Sequence, residues 1–581
     1  MTKLFWEQIA TRNGEALRLF PPESRQAVVV STSGGLTADA SRLLAESVRV
    51  LRPGGWLFIY GQPRELPPWG ENLVRTGDET WRMVFKYWIA LEIDDAPRAG
   101  FLKPSHRGLL MFLKTDPRRK SPMPFHLNTA DVKVPHQFCA ACKANLKDWG
   151  GKKHLMNPKG AALSDVWRDL PKTRLTSFLT PDAVLERIRA LTEREGERGL
   201  HVIEQIPAKK AIELHSSPYK EARTAIGNSQ NLLTSAAPAL EHDQVHLGDC
   251  VSFLEAVSEQ HPKGVFDLAF ADPPYNLAKD YDSYKDALAD QHYLEWCNRW
   301  LDGMARTLTP GGSLFVLNLP KWAVHHAAFL NSRLEFRHWI AWDALSDPRG
   351  KIMPAHYALL YYTKLGGKPV FNYSTGGARA RGDNVPAPDS PKYCLRAACA
   401  KKRKLLGDDD KVELSDVWFD VHRIKHKRDR DAHPCQLPEK LMERIIRLTT
   451  NRGGLVLDPF CGAGTTGIAA AKLGRHFVMV DSDPKYVDIT KAKLAAMKEH
   501  ADMFGELTVP RCSTVRPRAF MTKKAIETQL QQLAQQLGRV PTEEEIHRAD
   551  GELLAAIDRI YPYRGAALKR CKVVLESAGG R

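Results

Sequence analysis

The sequence predicts an α/β protein in which one parallel-sheet fold is laid down twice, followed by a small all-α domain at the C-terminal end. Three observations predict it. The apolar run Val265 to Ala271 stops at Asp272-Pro273-Pro274-Tyr275. A second run, Leu455 to Leu457, opens into the glycine turn Asp458 to Gly467. Short motifs in the first 206 residues recur in the same order further along the chain.

The first run reads as a buried strand. Neither proline can donate to a ladder, so the strand must end there. A carboxylate, a backbone carbonyl and a ring (Asp272, Pro273 and Tyr275) then stand at the carboxyl end of a strand, where open α/β sheets bind ligands. That set suits methylation of an exocyclic amine on a base. Asp272 and the Pro273 carbonyl can each accept a hydrogen bond from the amine, and Tyr275 can stack on a base taken out of its helix. The second run reads as strand, glycine turn, then a helix over Ile468 to Leu473. Glycine lets the backbone approach a ligand closely. Thr465 and Thr466 stand where a hydroxyl can cap the helix. A nicotinamide cofactor would be the default for a lone Gly-x-Gly, but the full fingerprint is not cleanly placed. The next strand, His476 to Val480, ends at Asp481, where an acid commonly holds ribose hydroxyls.

The repeat is detailed. Leu51-Arg52-Pro53-Gly54-Gly55 recurs as Leu308-Thr309-Pro310-Gly311-Gly312, and Trp88-Ile89-Ala90 as Trp339-Ile340-Ala341. Pro104-Ser105-His106 recurs as Pro354-Ala355-His356, and Ser164-Asp165-Val166-Trp167 as Ser415-Asp416-Val417-Trp418. Leu185 to Ile188 matches Met442 to Ile445. Near-constant spacing across five pairs implies a shared fold.

From about Asp243 to Glu499 the chain resembles the β-class amino-methyltransferases, which use S-adenosylmethionine to methylate adenine N6 or cytosine N4 in DNA. Gly248-Asp249-Cys250, Asp272 to Asn276, Leu308 to Gly312, Ser415 to Trp418, His433-Pro434-Cys435-Gln436-Leu437-Pro438, Asp458 to Thr466, Gly474-Arg475 and Asp481 to Tyr486 occur in that family's permuted order. The resemblance implies a Rossmann-like methyltransferase sheet of seven mostly parallel strands, with S-adenosyl-L-methionine as cofactor and DNA as partner. By it, Asp272, Pro273, Pro274 and Tyr275 are catalytic. Asp249 contacts the cofactor adenine and Asp481 its ribose, and Asp272 and Asp458 also border the cofactor. Phe460, Gly462, Gly464 and Thr465 line the methionine part, with His433 and Gln436 closing over it. Two positions depart from the family. Leu437 replaces a usual basic residue, and Asp481 stands where Glu is more frequent. Pro434-Cys435-Gln436 resembles the nucleophile tripeptide of cytosine-C5 enzymes, but it precedes the glycine turn and no Glu-Asn-Val segment follows, so Cys435 reads as a bystander. Adenine N6 is the expected target, because Asp272 stands where cytosine enzymes of this class more often have Ser. Cytosine N4, an RNA base and a silent DNA-binding regulator are the alternatives.

The expected domains are a degenerate methyltransferase-like half (1–206), a linker (207–242), a catalytic domain (243–508) with a target-recognition region at about 364–430, and a helical DNA-binding domain (509–581). The first copy has Ser31-Thr32-Ser33-Gly34-Gly35 where the second has Ala271 to Tyr275, and Val202 to Pro207 where the glycine turn belongs. It is therefore expected to stand in for the second protomer of a dimer, to contact DNA and to leave the chain a monomer. A covering scaffold is the alternative role. The target-recognition region carries Arg379, Arg381, Lys401, Lys402, Arg403, Lys404 and His422 to Arg428, a charge density suited to phosphate contact. At the far end, Thr542 and Glu545 form a capping box. Leu537 to Leu575 resembles the small helical repeats found beside homing endonucleases, with Tyr561, Tyr563, Arg564, Lys569 and Arg570 expected to face DNA.

Composition agrees. The chain has 581 residues, too many for one core, and a formal net charge of +16 that favours a polyanion. No apolar run is long enough to cross a bilayer, and Glu7, Arg12 and Glu15 speak against a secretory signal, so a cytoplasmic location without membrane contact is expected. A cognate restriction nuclease is a candidate partner. Ten cysteines are few for this length and fit reduced thiols. Methyl transfer needs no metal and no metal ligand is assigned. Still, Cys139-x-x-Cys142 and Cys394-x-x-x-x-Cys399 fall at related positions of the two copies. A zinc site needs four ligands, which His136 or His154 would complete for the first pair, or the two pairs would complete by meeting.

Overall fold

The computed structural model of the protein describes residues 7–11, 15–32, 34–93, 100–119, 125–146, 156–172, 179–193, 200–205, 240–277, 288–344, 351–373, 385–394, 396–407, 411–423, 436–499, 523–549, 553 and 557. Residues 1–495 form one compact unit and 496–581 another.

The first half of the larger unit contains strands β1 (Glu7–Thr11), β2 (Arg25–Ser31), β3 (Leu51–Gly61), β4 (Arg82–Glu92), β5 (His106–Thr115), β6 (Lys133–Val134), β7 (Ala161–Ala162), β8 (Val166–Trp167) and β9 (Leu200–Gln205). Its helices are α1 (Ala38–Val50), α2 (Leu66–Arg75) and α3 (Asp182–Thr192). The second half contains β10 (Gln244–Leu247), β11 (Phe266–Ala271), β12 (Leu308–Asn318), β13 (Glu335–Trp342), β14 (Tyr357–Thr363), β15 (Val417–Trp418), β16 (Leu455–Asp458) and β17 (His476–Asp481). Its helices are α4 (Cys250–Gln260), α5 (Asp290–Thr307), α6 (Pro320–Leu330), α7 (Ala397–Leu406), α8 (Glu439–Thr449), α9 (Thr465–Lys472) and α10 (Pro484–Glu499).

The sheets run β1-β9-β2-β3-β5-β4-β8 and β10-β17-β16-β11-β12-β14-β13-β15. Among the described residues the second therefore has eight strands rather than seven. Strand β15 adds two residues at one edge, and β14 runs antiparallel to both its neighbours. From β9 to β8 and from β16 to β15 the two orders coincide. Local detail coincides as well. Gly54 and Gly311 both turn the chain in the left-handed region, at φ 81° and 84°. A side chain on the glycine that follows either one would meet backbone oxygen at 3.0 Å or less. The Trp167 and Trp418 indoles each donate 2.8 Å to the carbonyl three residues earlier. Arg187 and Arg444 each pair with an aspartate, Asp169 and Asp420, while lying over those two indoles.

This likeness shifts one equivalence by a residue. Val30 pairs with Ile59 as Ala271 pairs with Val316, so Ser31, not Thr32, occupies the place of Asp272. The indoles agree, since Trp69 donates to the Gly34 carbonyl as Trp322 does to that of Tyr275. A one-residue slip is invisible in a short apolar run until its partner strand is known. The Ser31 hydroxyl lies 2.7 Å from that of Thr180, so this position is closed by its own half. Where the second sheet has β17, ending in Asp481, the first has β1, ending in Thr11.

The halves share one apolar core. Leu43, Trp69 and Phe112 of the first belong to the same buried cluster as Trp300, Trp322 and Leu360 of the second. Helices α2 and α6 cross so closely that a side chain at Gly70 would come within 2.7 Å of Val324. Trp88 and Trp339, equivalent residues, stack with centroids 3.6 Å apart and planes 5° from parallel. The polar contacts are reciprocal. Lys103 N–H donates to Leu414 and Met353 N–H to Leu163, while Asp416 and Asp165 N–H donate back. The Asp416 carboxylate accepts from Ser105 N–H and lies 3.0 Å from His106 Nδ1. That of Asp165 accepts from Ala355 N–H and lies 3.1 Å from His356 Nδ1. Burial opposes the charge on Asp416, but His106 and His338 outweigh it and hold the carboxyl well below its ordinary range. Each patch contacts its own equivalent, which is the rule of a two-fold dimer interface.

In the smaller unit, α11 (Lys523–Leu537) and α12 (Glu543–Ala549) are described. The capping box is present, with Thr542 N–H donating to Glu545 and Glu545 N–H to Thr542 Oγ1. Tyr561, Tyr563, Arg564, Lys569 and Arg570, and most of the expected linker (207–239), lie outside the described residues.

The shared core generates a prediction. Trp88→Ala removes a buried ring stacked on the other half, at a cost of about 3–5 kcal/mol. Hydrogen exchange should lose protection in β13 and β14 as well as in β4 and β5. Loss confined to the first half would contradict a common core.

Candidate active site

The site forms at the carboxyl ends of the parallel strands of the second sheet. Strand β11 ends at Ala271, and the chain leaves through Asp272-Pro273-Pro274-Tyr275. Buried groups hold that exit in place. The Tyr293 hydroxyl of α5 donates 2.6 Å to the Pro274 carbonyl, and Asn318 Nδ2 at the end of β12 lies 3.3 Å behind that hydroxyl. Asn318 also meets His326 Nε2 at 3.1 Å. Burial pushes His326 down to about 3, so it is neutral and adds no charge beside the exit. The Trp322 indole donates 2.8 Å to the Tyr275 carbonyl. Asn276 takes a left-handed φ of 52° and exchanges two hydrogen bonds with the Leu288 backbone. The Tyr275 hydroxyl donates to Asp272 Oδ1 at 2.5 Å. Tyr275 therefore orients the carboxylate, a task not expected for it from the sequence.

The neighbouring strands supply the rest. Asp458, at the end of β16, accepts from Phe460 N–H and from the Thr466 hydroxyl. Asp481, at the end of β17, accepts from the N–H groups of Gly462 and Asp483 at 2.8 and 2.9 Å. Asp249 accepts from Ser252 N–H and caps α4. Together these strand ends enclose a cleft of about 450 Å³. Asp249, Asp272, Pro273, Pro274, Tyr275, Gln436, Asp458, Phe460, Gly462, Thr465 and Asp481 all line it. The sequence reading missed Phe270, Trp296, Asp483 and Tyr486, which also line it. Trp296 comes from α5, distant in sequence; Phe270 stands on β11 two residues before Asp272, and Asp483 and Tyr486 follow β17, where no spacing singles out which residue faces the cleft.

Three expectations change. Gly464 is not on the cleft wall. A side chain there would meet Thr490 at 2.5 Å, and its φ is 78°, so glycine is required by α10 and by the turn. Thr465 and Thr466 do not cap α9. Gly464 holds the cap position, and the Thr466 hydroxyl goes to Asp458. Arg403 does not face outward with Lys401, Lys402 and Lys404 but is 1% exposed and pairs with Asp389. His433, Cys435, Arg379, Arg381 and residues 424–428 lie outside the described residues.

The cleft is acidic. Five aspartates line it and, among its described residues, no Lys or Arg does. Such a wall repels a pyrophosphate and favours a cationic ligand. Burial, with the nearby Asp481 carboxylate, pushes Asp458 up to about 7 against the pull of Thr466 and the Phe460 N–H.

An α/β sheet with a glycine turn and acid-ended strands of this order is a Rossmann-like methyltransferase sheet. The DNA methylase model for N6/N4 methyltransferases matches residues 266–492. The type II methyltransferase M1.MboII of Moraxella bovis is 32% identical over 266 residues, covering 43% of this chain and 95% of that protein. M.BamHI of Bacillus amyloliquefaciens is 37% identical over 242 residues, 40% of this chain, which spans only 53% of that relative. Among solved structures, the M1.HpyAVI–SAM complex is 22% identical with a TM-score of 0.29, covering 43% of this chain and 98% of that one. The chain belongs to the DNA methylase family of N6/N4 methyltransferases.

Asp458 yields a pH prediction. A carboxyl raised from 3.8 to about 7 by folding stabilises the fold only while protonated, so its contribution is complete below pH 3.8 and is lost as pH rises through 7. Asp458→Asn cannot ionise. Its stability relative to the native protein should therefore rise between pH 4 and pH 7 in denaturant titrations. A constant difference across that window would show that Asp458 is already ionised.

Proposed function

We propose that the second half transfers a methyl group from S-adenosyl-L-methionine to the exocyclic N6 amine of adenine in DNA. The observation that carries this reading is the acidic cleft beside the Asp-Pro-Pro-Tyr strand end, in a chain of the N6/N4 DNA methylase family. Its size suits a nucleoside-bearing cofactor, and its charge suits a sulfonium rather than a dinucleotide. Asp481, fixed by two backbone N–H groups, would accept the ribose hydroxyls. The Gly462 backbone and the Phe460 ring would border the methionine part, with Gln436 at the rim.

When bound, the cofactor supplies a methyl group on a positively charged sulfur. An adenine amine is a poor nucleophile because its lone pair is delocalised into the ring. Asp272 and the Pro273 carbonyl would accept its two N–H groups and draw the nitrogen toward a pyramidal geometry. Holding nitrogen and methyl in line then accounts for much of the rate. The Tyr275 hydroxyl keeps the carboxylate aimed, and Tyr293 keeps the two prolines in place. The flipped base would stack on the Tyr275 ring. The first half, closed at Ser31, would do no chemistry. It would serve as a built-in second protomer in a chain acting alone, with basic surface for DNA. The exposed lysines of α7 would meet phosphate in the target-recognition region. A nuclease cutting the same target would be the natural partner of such an enzyme, and the cytoplasm its place.

Asp272→Ala should abolish methylation of duplex DNA while S-adenosylmethionine still binds within a few fold, read by calorimetry. Substantial residual methylation would remove Asp272 from the mechanism. Long-read modification mapping of DNA from expressing cells should show N6-methyladenine in one sequence motif, and N4-methylcytosine there would reassign the base.

A further inference from the structure

The two cysteine pairs singled out in the sequence meet. Cys139 and Cys142 come from the first half, Cys394 and Cys399 from the second, and all four sulfurs lie within 4.8 Å of one another. Cys139 Sγ is 3.7 Å from Cys399 Sγ, and Cys142 Sγ is 3.6 Å from Cys394 Sγ. A disulfide needs about 2.05 Å. A tetrahedral zinc thiolate, with Zn–S near 2.3 Å, places its sulfurs about 3.8 Å apart along each edge. We propose that these four cysteines bind one structural zinc ion that ties the two halves together.

The surroundings are those of a metal–thiolate site. The turn carrying the first pair is closed by Cys139 N–H to Ala144 and Lys143 N–H to Cys139, and Lys143 takes a left-handed φ of 55°. Four thiolates around Zn²⁺ leave two net negative charges. A buried cation meets them, for Arg403 Nη1 stands 3.5 Å from Cys399 Sγ and 3.2 Å from the Cys394 carbonyl. This gives Arg403, the one basic residue of α7 turned inward, a purpose. The halves also join beside the cluster, through Ala140 N–H to the Lys392 carbonyl and Arg396 Nη2 to the Asn145 carbonyl. Three sulfurs are buried, and only Cys142 is exposed. Cys399 lies on α7, so the ion would anchor the helix that carries Lys401, Lys402 and Lys404. The site is separate from the cleft, and methyl transfer has no step at it.

The test is the metal content of the full chain purified without chelator. One zinc per chain is expected. Cobalt exchanged for zinc should give the visible absorption of a tetrahedral thiolate complex. Cys142→Ser, altering the exposed ligand, should lower zinc retention against a competing chelator by at least roughly tenfold. Should that variant not fold, the native protein still decides the matter. Folded native protein without stoichiometric zinc after reconstitution would overturn the site, as would a Cys139–Cys399 disulfide. Zinc unchanged in Cys139→Ser/Cys394→Ser would place the ion elsewhere, for example at His242, Asp243 and His476, and would overturn it equally.

Discussion

The burial of one half of the larger unit against the other is the constraint on which the rest depends. Strands β4 and β13 each stand one strand in from a sheet edge, and each carries a fully buried tryptophan. Stacking Trp88 on Trp339 covers both at once. The same contact brings Asp165 and Asp416 to the opposite Pro-x-His loops, where both carboxylates are buried and each lies beside a histidine. A buried carboxylate that loses its partner is strongly destabilising, so these reciprocal pairs fix how the halves meet. A repeat that preserved Ser-Asp-Val-Trp and Pro-x-His in both copies therefore preserved an interface, even where it did not preserve a site.

The cleft inherits its rigidity from that arrangement. Helix α6 packs on α2 of the first half, and α6 carries Trp322 and His326. Trp322 holds the Tyr275 carbonyl, and Asn318, beside His326, backs the hydroxyl that holds Pro274. A change in the first half can thus reach Asp272 through α6 without touching any cleft residue. The equivalent strand end of the first half is sealed by Ser31 and Thr180, and β1 occupies the place of the strand that would bring a ribose-binding acid. The acid-ended cleft lies in one half, and the other half repeats the order of its sheet.

Much of this was legible in the sequence, for a physical reason in each case. Asp272-Pro273-Pro274 marks a strand end because proline cannot pair. Asp458 to Gly467 marks a turn because glycine tolerates the conformation. Matched spacing of apolar and turn residues marks the repeat. What was not legible depends on partners distant in the chain. Gly464 reads as a cofactor glycine, but Thr490 on α10 decides it. Arg403 reads as one of four basic residues facing DNA, but its neighbours Asp389 and Cys399 turn it inward. The equivalence of Thr32 with Asp272 was off by one because register belongs to a pair of strands, not to one. Trp296 lines the cleft from α5, where nothing in the local pattern distinguishes it.

The central claim is that a chain with two copies of one sheet has a single cofactor site. Hydrogen exchange on the full protein, with and without S-adenosylmethionine, tests it most directly. The account predicts added protection at residues 248–250, 455–467 and 481–486, and no change at 25–35 or 200–205. Cofactor-dependent protection in the first half, or none in the second, would contradict it.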